Sequence, residues 1–469
     1  METAPSDKLP KGLLLNWYGD DFTGSAAVME VLTFAGVPSV LFLQMPTEDQ
    51  RKRFPDAQAI GIASTARSRG PAWMDENLPD IFRYLAAMNA QVTHYKVCST
   101  LDSSTETGSI GKAIDIAAEI LSPPWIPLLV AAPAMGRYQA FGNLFASSPA
   151  GIQRLDRHPV MARHPVTPMD EADVGRHVAR QTRRKIGAID FAALQSDEAA
   201  DAALQNQRED GAEIISLDSM DDKSEAAAGR LIWRDREDGI FAVGSQGVEY
   251  ALAAHWRETG LLAEKTHESG VEPADRIAVV SGSVASITAQ QIGWAIDHGF
   301  ADIPFDAAAV CGSVDDGQKA EDNSVDAALV AVANGRDPLI HTARGPDDDA
   351  VIAYRASLVR NELSAEAGNH RIGASLGRIL DRILRQTGIN RAVICGGDTS
   401  GHAMAQLGVF ALTAIAPTVP GAALCKAHSD DPVFAGLELA LKGGQMGTPD
   451  FLGWIKRGGG TEKRRTQKT

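Results

Sequence analysis

The feature that most constrains the fold of this chain is the alternation of short β-prone runs with helical stretches. In the N-terminal half, β-prone runs lie at residues 13–18, 37–43, 57–63, 94–97, 128–132, 188–190, 214–217 and 240–243, and helical patterns lie at 25–34, 71–88 and 110–121. Such alternation is typical of a parallel sheet with helices on both faces. It predicts an α/β fold built on a doubly wound sheet.

The same pattern restarts after a polar stretch at residues 264–274, with a strand at 276–280, a helix at 284–298 and a strand at 391–395. A chain of 469 residues exceeds the roughly 250–300 residues over which a single core keeps growing. We therefore predict two doubly wound α/β domains in series, at residues 1–265 and 266–457. Residues 458–469 are glycine-rich and then basic, which predicts a disordered tail.

Charge and cysteine content exclude several classes of protein. The chain has 45 Lys and Arg against 60 Asp and Glu, a net charge of −15, so we expect no nucleic acid and no membrane surface to be bound by bulk charge. No apolar run reaches the ~18–20 residues that a membrane helix needs, and the N-terminus has no signal-peptide core. The four cysteines are widely spaced, which predicts reduced thiols in a cytoplasmic protein.

In an open α/β sheet, ligands bind where strands lead into helices. The first such loop is Gly19-Asp20-Asp21-Phe22-Thr23-Gly24. Two adjacent carboxylates could hold magnesium or accept a proton from a hydroxyl. Asp21 or Thr23 could equally cap the next helix, which is a common role for both residue types. Residue identity alone leaves both interpretations open.

Two further loops, at residues 281–283 and 396–401, combine glycines with hydroxyls. Backbone N–H groups in such loops can bind phosphate without added positive charge, although each loop could also be an ordinary turn. Residues 108–113 superficially suggest a P-loop, but Glu106 replaces its first glycine and Ala113 replaces its Ser or Thr. No complete GxGxxG fingerprint follows a strand, which disfavours a dinucleotide-binding fold.

Lys96 ends a short strand and precedes a hydroxyl-rich stretch at 98–103, where a cation and hydroxyls could bind a carboxylate and a polyol. A strand-end lysine is also often simply solvated. Cys98 has no evident histidine partner for a role as nucleophile. His158 and His164 each precede a proline, which favours an extended structural loop over a metal site.

Taken together, these segments resemble a known family. They read, in order, YGDDFTGS at 18–25, YKVCST at 95–100, HPVTPM at 164–169, SGS at 281–283, GGDTS at 396–400 and PG at 420–421. In this order they resemble the four-carbon acid sugar kinases over about residues 13–455. The resemblance implies an N-terminal domain that binds the sugar acid, a C-terminal domain that binds ATP, and an active-site cleft between them. It also implies kinase activity on an acid such as 3-oxo-tetronate, D-threonate, D-erythronate or 3-oxo-isoapionate.

The resemblance also implies roles for individual residues. Asp20 and Asp21 are the implied catalytic residues, one of which accepts the proton of the substrate hydroxyl. The sugar acid is expected near Thr23, Gly24, Arg67, Lys96, Ser99 and Asp102. ATP is expected near Ser281, Ser283, Ser286, Gly396, Gly397, Asp398, Thr399, Ser400, Gly421, Gly444 and Gly447, with Asp398 as a ligand of Mg²⁺.

One loop departs from the family pattern. Where many members read Lys-x-Asp-Ser-Thr-x-Arg-Gly, this chain has Cys98 in place of the Asp and Asp102 in place of the Arg. Replacing Arg by Asp removes a bidentate partner for a carboxylate and adds a repelling charge. We therefore expect Cys98 and Asp102 to change the substrate preference.

The sequence thus predicts an ATP-dependent kinase that phosphorylates a hydroxyl of a small sugar acid and that forms a homodimer. The sequence leaves two alternatives open. An NAD(P)-dependent sugar-acid dehydrogenase would share the sheets but needs the missing glycine fingerprint. A non-catalytic sugar-acid sensor would keep the binding loops without needing the aspartate pair.

Overall fold

The computed structural model describes residues 8–148, 151–164, 166–263 and 269–461, and the side chain of Asp398 lies outside this description. The chain divides into two compact units, Met1–Thr266 and His267–Thr469, called here the N-terminal and C-terminal units. Both are mixed α/β, and the predicted fold class is confirmed. Among the described residues, every helix is too short or too polar to cross a lipid bilayer.

The described part of the N-terminal unit has a main parallel sheet of eight strands and a small second sheet of three strands. Its strands are β1 Leu15–Gly19, β2 Ser39–Phe42, β3 Ala59–Ala63, β4 Val92–Lys96, β5 Ile126–Leu129, β6 Arg137–Ala140, β7 Asn143–Ser148, β8 Gly151–Arg154, β9 Ile186–Ile189, β10 Ile214–Leu217 and β11 Ile240–Gly244. Its helices are α1 Phe22–Ala35, α2 Glu48–Lys52, α3 Pro71–Ala87, α4 Ile110–Leu121, α5 Val174–Ala179, α6 Asp197–Glu209, α7 Asp222–Arg234 and α8 Gly247–Glu258. The sheet order is β2-β3-β1-β4-β11-β5-β10-β9, and β6, β7 and β8 form a separate antiparallel sheet.

The central strands of this unit are apolar because helices cover both faces of the sheet. All five residues of β1 and all five of β3 are buried. On one face the ring of Phe82 packs 6.1 Å from that of Tyr95 and 5.8 Å from that of Phe241. On β3, Gly61 has no side chain because the indole of Trp17 occupies the space that a Cβ would need.

The C-terminal unit has a mixed sheet of seven strands. The strands are β12 Ala278–Ser281, β13 Phe300–Pro304, β14 Asp337–His341, β15 Arg391–Cys395, β16 Val409–Ala416, β17 Leu424–Ser429 and β18 Glu438–Lys442. The helices are α9 Ser286–Asp297, α10 Ala307–Val310, α11 Val314–Ala333, α12 Asp349–Arg360, α13 Ala365–Thr387, α14 Gly397–Gln406 and α15 Phe451–Lys456. The order is β13-β14-β12-β15-β18-β17-β16, in which β17 runs antiparallel to both of its neighbours.

The predicted disordered tail does not begin at Gly458. Residues 458–460 are buried, and all three glycines have a positive φ, of 94°, 66° and 82°. The backbone N–H of Val271 donates to the Gly458 carbonyl at 2.8 Å, and the Trp454 indole N–H donates to the Gly460 carbonyl at 3.1 Å. The glycines are thus needed for close backbone packing, which a composition argument misreads as disorder. Residues 462–469 lie outside the described residues.

No disulfide joins Cys98, Cys311, Cys395 and Cys425. Three of these side chains are buried, and Cys98 is half-buried.

Candidate active site

A single row of residues ends the central strands of the N-terminal sheet at its carboxyl edge. Gly19 of β1 lies opposite Ala63 of β3 and opposite Lys96 of β4, and Lys96 lies opposite Gly244 of β11. The residues that follow these strands therefore gather at one edge. The backbone N–H of Asp20 donates to the Lys96 carbonyl at 2.9 Å, which continues the pairing by one residue.

Arg67 joins the two adjacent aspartates. Its Nη2 donates to Asp20 Oδ1 at 2.7 Å and to Asp21 Oδ1 at 2.8 Å, and its Nε donates to Asp20 Oδ2 at 3.3 Å. The backbone N–H of Arg67 also donates to the Asp20 carbonyl at 3.0 Å. Arg67, predicted to bind substrate, is thus an ion-pair partner of both predicted catalytic residues, which lets two carboxylates stand side by side.

Asp21 is also the N-cap of α1. Its Oδ1 accepts the backbone N–H of Gly24 at 2.9 Å, and its Oδ2 accepts the hydroxyl of Thr23 at 2.7 Å. The Asp21 side chain thus has the capping role that the sequence left open. Thr23 and Gly24, predicted to contact the sugar acid, both support this cap, and their contact with substrate stays a prediction.

The two aspartates differ in acidity. Burial raises the pKa of Asp20, which is 2% exposed, and the neighbouring Asp21 charge adds to the rise while Arg67 opposes it. Burial also acts to raise the pKa of Asp21, but Arg67, Lys96 and the bonds from Thr23 and Gly24 outweigh it, so this pKa lies below its usual value. At neutral pH, Asp20 is therefore the stronger base of the pair.

Lys96 is buried beside this cluster. Its Nζ donates to the Val97 carbonyl at 2.7 Å, and a Cβ on Gly24 would lie 2.5 Å from that Nζ. The missing side chain of Gly24 therefore makes room for the ammonium group. Lys96 supplies positive charge to Asp20 and Asp21.

The loop after β4 holds the residues that depart from the family pattern. Cys98 Sγ lies 3.0 Å from Thr100 Oγ1, and the Thr100 hydroxyl donates to Asp102 Oδ1 at 2.9 Å. Burial raises the pKa of the Cys98 thiol to about 11, so the thiol is protonated at neutral pH. Ser99, predicted to bind substrate, is half-buried in the same turn.

The C-terminal unit has an equivalent row at its own carboxyl edge. Ser281 of β12 lies opposite His341 of β14 and Cys395 of β15, and Cys395 lies opposite Lys442 of β18. The predicted nucleotide loops follow three of these strands. Gly421, with a φ of 86°, lies in the loop that joins β16 to β17, at the same edge. All of the predicted nucleotide residues therefore lie at one edge of this unit.

These loops pack closely enough that side chains are excluded. A Cβ on Gly444 would lie 2.7 Å from Ser283 Oγ, one on Gly396 would lie 2.8 Å from Thr399 Oγ1, and one on Gly447 would lie 2.8 Å from Gln291 Nε2. Gly396 and Gly447 also have positive φ, of 122° and 90°, which only glycine adopts readily. The glycines thus serve backbone packing between the loops.

The hydroxyl-bearing residues have different surroundings. Ser283 Oγ lies 3.1 Å from Thr288 Oγ1, the Ser400 hydroxyl donates to the Gly396 carbonyl at 2.7 Å, and Ser286 is exposed in the first turn of α9. Ser281 is 1% exposed, and its Oγ has no partner among the described residues. A buried hydroxyl without a partner is unusual, and it marks this loop as one that a ligand could complete.

Lys442 organises the loop after β18. Its buried Nζ donates to the carbonyl of Gly443 at 2.9 Å and to Thr288 Oγ1 at 3.1 Å, and it lies 3.5 Å from the carbonyls of Gly444 and Met446. In the described part of the chain, the backbone N–H groups of Gly444, Gln445 and Gly447 have no hydrogen-bond acceptor. The carbonyls of this loop therefore point to the lysine, and its amides remain for a ligand.

This arrangement fits the phosphates of a nucleotide, because unpaired amides in a glycine loop form a concave binding site for anions. No group of three or more His, Cys, Asp or Glu side chains among the described residues is placed to hold a metal. Asp398, the predicted ligand of Mg²⁺, lies in α14, and its side chain is outside the described structure.

Sequence reasoning missed three residues at these edges. Lys442 and Thr288 connect two nucleotide loops, and Arg137 lies beyond β5. The sequence does mark Lys442 as a candidate, because like Lys96 it ends a strand and precedes small or polar residues. Arg137 has no such signal, since it follows β5 by eight residues and starts an antiparallel strand.

The fold and the two edges define a two-unit α/β protein with a carboxylate and guanidinium cluster in one unit and glycine loops for an anion in the other. Residues 15–252 match the family described as a sugar-binding N-terminal domain, and residues 278–452 match the nucleotide-binding C-terminal domain. The chain belongs to the four-carbon acid sugar kinase family, and the resemblance seen in its motifs is confirmed.

Individual relatives are similar over nearly the whole chain. The 3-oxo-isoapionate kinase of Paraburkholderia graminis is 44% identical over 449 residues, which cover 96% of this chain and 95% of that protein. The 3-oxo-tetronate kinase of Methylobacterium radiotolerans is 30% identical over 449 residues, covering 94% and 98%. The 3-oxo-tetronate kinase of Pectobacterium atrosepticum is 28% identical over 437 residues, covering 92% and 96%.

Solved structures show the same fold. One from Salmonella typhimurium has a TM-score of 0.74 at 24% identity and covers 94% of this chain and 98% of that one. One from Haemophilus influenzae has a TM-score of 0.68 at 21% identity and covers 94% and 99%.

Proposed function

We propose that this protein is an ATP-dependent kinase that phosphorylates a hydroxyl of a small sugar acid. The observation that carries the proposal is the Asp20 carboxylate, which is buried at the carboxyl edge of the N-terminal sheet and fixed by two bonds from Arg67. Its raised pKa makes it a better proton acceptor than an ordinary carboxylate. The kinase relatives support this function over the dehydrogenase and sensor alternatives.

In the proposed reaction, Asp20 accepts the proton of the substrate hydroxyl, and the hydroxyl oxygen forms the new bond to phosphorus. ATP supplies the γ-phosphoryl group, and ADP is the leaving group. Arg67 keeps the Asp20 carboxylate in one orientation through its Nε and Nη2. Asp21 holds the start of α1, which fixes the backbone that carries Asp20.

We assign the nucleotide to the C-terminal unit. The unpaired amides of Gly444, Gln445 and Gly447 and the start of α14 at Gly397 are the groups that would bind its phosphates. Mg²⁺ at Asp398 remains part of the proposal, and no step of the mechanism above depends on it. Loss of turnover in EDTA and its return on adding Mg²⁺ would test that part.

Within the class of sugar acids, we propose 3-oxo-isoapionate as the substrate. The chain is 44% identical to a 3-oxo-isoapionate kinase and between 25% and 30% identical to 3-oxo-tetronate kinases of similar coverage. The loop with Cys98 and Asp102 lies at the edge proposed to hold the acid, so a changed substrate is expected there.

The test is ADP release by the whole protein with freshly prepared 3-oxo-isoapionate, 3-oxo-tetronate, D-threonate and D-erythronate. We expect the highest kcat/KM with 3-oxo-isoapionate. Release no faster with any acid than without one would contradict the kinase proposal. A higher kcat/KM with 3-oxo-tetronate would contradict only the choice of substrate.

A homodimer and a cytoplasmic location complete the proposal. The homodimer is tested by light scattering on the purified protein, where the chain mass of 49.8 kDa should double. A mass of one chain across the working concentration range would exclude a stable dimer.

A further inference from the structure

Arg137 lies near the loop after β4, at the same edge of the N-terminal sheet as the aspartate cluster. It begins β6, eight residues after Leu129, which ends β5 and lies opposite Gly244 in the row that includes Lys96. Asp20 follows β1, and the sheet order β1-β4-β11-β5 puts the ends of β1 and β5 three strand spacings apart, about 14 Å. Cys98 and Asp102, in the loop after β4, act electrostatically on the Arg137 guanidinium, so Arg137 lies beside that loop.

The guanidinium of Arg137 is only partly used by the protein. Its Nη1 donates to the carbonyls of Met135 at 3.3 Å and Gly136 at 3.2 Å. Its Nε is buried without a hydrogen-bond partner, and among the described residues nothing accepts a bond from Nη2. Within the same described ranges, no carboxylate lies within 4.0 Å of this guanidinium. The edge formed by Nε and Nη2, which suits a carboxylate, thus has no partner.

The neighbours of Arg137 are the two residues that depart from the family pattern. Burial lowers the pKa of the Arg137 guanidinium, and Cys98 and Asp102 lie close enough to oppose this effect. Asp102 is held by the hydroxyl of Thr100, so its position does not depend on Arg137. The expected repulsion between Asp102 and an acidic substrate is therefore offset by a nearby cation.

The other cations of the cluster are already engaged. Arg67 uses both Nε and Nη2 on Asp20 and Asp21. Lys96 is buried, and its Nζ donates to the Val97 carbonyl. Both cations also lie beside the Asp20 and Asp21 carboxylates, which would repel the carboxylate of a substrate. Among the described residues, no ion pair joins Arg137 to either of these aspartates.

We infer that the Nε and Nη2 edge of Arg137 binds the carboxylate of the sugar acid, while the hydroxyl to be phosphorylated lies at Asp20. The inference rests on the proposed function, because it assigns a subsite for the same substrate. It makes Arg137 a determinant of specificity for acids over uncharged sugars. An arginine that is fixed and otherwise unpaired discriminates strongly, because without a carboxylate its buried N–H stays unsatisfied.

The test compares direct binding and turnover in the whole protein. Calorimetry measures the affinity of wild type, Arg137→Met and Arg137→Lys for 3-oxo-isoapionate and for its primary amide, without nucleotide. We expect Arg137→Met to weaken binding of the acid about 30-fold or more, and binding of the amide less than about threefold. Arg137→Lys keeps the positive charge but lacks the paired N–H donors of a guanidinium. Its affinity for the acid should therefore lie between those of wild type and Arg137→Met.

Controls separate this inference from folding and from the proposed function. Arg176→Met removes an arginine that is 78% exposed in the same unit and should leave both affinities unchanged. Unchanged ATP affinity and melting temperature in Arg137→Met would show that the variant is folded; if it fails to fold, Arg137→Lys alone decides. Equal acid affinity in wild type and the folded variants, or no acid binding by wild type, overturns the inference. Acid binding that depends on Arg137 without ADP release would support it and contradict the kinase proposal.

Discussion

Arg67 donates to both carboxylate oxygens of Asp20, from Nη2 at 2.7 Å and from Nε at 3.3 Å. The two residues come from loops that follow different strands, β1 and β3, so this pair exists only once the sheet is assembled. The two hydrogen bonds from Arg67 hold the buried Asp20 carboxylate in one orientation, and no helix N-terminus is needed for this. Asp21, by contrast, is tied to the start of α1. Two neighbouring residues of the same type therefore have different physical roles.

The first prediction uses this difference. Asp20→Asn should lower kcat at least about a hundredfold, because an amide cannot accept the proton of the substrate hydroxyl. Asp21→Asn should keep turnover within about tenfold of wild type, since Asn caps a helix nearly as well as Asp. Steady-state kinetics with the best acid of the panel measures both. Near-normal turnover in both variants would contradict a base at this site, and a larger loss in Asp21→Asn would move the base to Asp21.

The second prediction concerns stability against pH. The folded-state pKa of Asp21 lies below its ordinary value, mainly through Arg67 and Lys96 acting against burial, so the ionised group stabilises the fold. This contribution is complete above the ordinary carboxyl pKa of ~3.9 and is lost as the pH falls through the lower folded-state pKa. Urea unfolding should show wild type more stable than Asp21→Asn at pH 6, with the gap closing below about pH 4. A gap that widens on acidification would mean that the shift has the opposite sign.

Asp20 should behave in the opposite way in the same experiment. Burial raises its folded-state pKa, so ionising it costs stability as the pH rises from its ordinary pKa to the raised one. Asp20→Asn should therefore lose no stability on this account at neutral pH. Its melting temperature provides the control for the kinetic loss in the first prediction.

The third prediction concerns Cys98, which is half-buried while the other three cysteines are buried. Burial raises the pKa of its thiol to about 11, and only the thiolate reacts with alkylating agents. The rate of alkylation by iodoacetamide, followed by peptide mass spectrometry, should therefore still be rising at pH 10. A plateau below pH 9 would show an activated thiol. Cys98→Ser gives the background rate of the remaining cysteines.

The alternation of strands and helices predicted most of the elements that position the site. The predicted and observed bounds agree for β10 at Ile214–Leu217, β15 at Arg391–Cys395 and α4 at Ile110–Leu121. Periodicity works here because buried parallel strands and amphipathic helices leave different patterns. The predicted start of β5 at residue 128 was late, because Pro127 lies within the strand and interrupts its pattern.

The antiparallel parts could not be inferred in the same way. Strands β16, β17 and β18 follow one another without an intervening helix, so the alternation of strands and helices does not predict them. The small sheet of β6, β7 and β8 is mostly half-exposed and has weak apolar patterning. Arg137 was missed for this reason, since it belongs to that sheet.

The site was predicted as a set of strand-end loops, whereas its internal contacts were not. Motif resemblance named Asp20, Asp21 and Arg67, but only the register of β1, β3 and β4 brings them together. Which backbone amides lack a partner also depends on the folded chain. Lys442 illustrates this, because its role follows from three carbonyls that no sequence pattern identifies.

Lys442 is the subject of the last prediction. Its buried ammonium lies 2.9 Å from the Gly443 carbonyl and 3.5 Å from those of Gly444 and Met446, which turns the loop amides away from it. Lys442→Met removes this donor, so the amides should no longer form a site for phosphate. We expect ATP and ADP to bind at least about tenfold more weakly, as expected for losing about two neutral hydrogen bonds. Adenosine, which has no phosphate, should bind as before. Because Lys442→Met also leaves the Gly443 carbonyl without this donor, an unchanged melting temperature is needed to show that the variant is folded. Lys426→Met, at an exposed position on β17, is the control and should bind all three ligands normally. Equal weakening for adenosine in Lys442→Met would indicate a general collapse of the loop, and unchanged ATP affinity would show that the phosphates bind elsewhere.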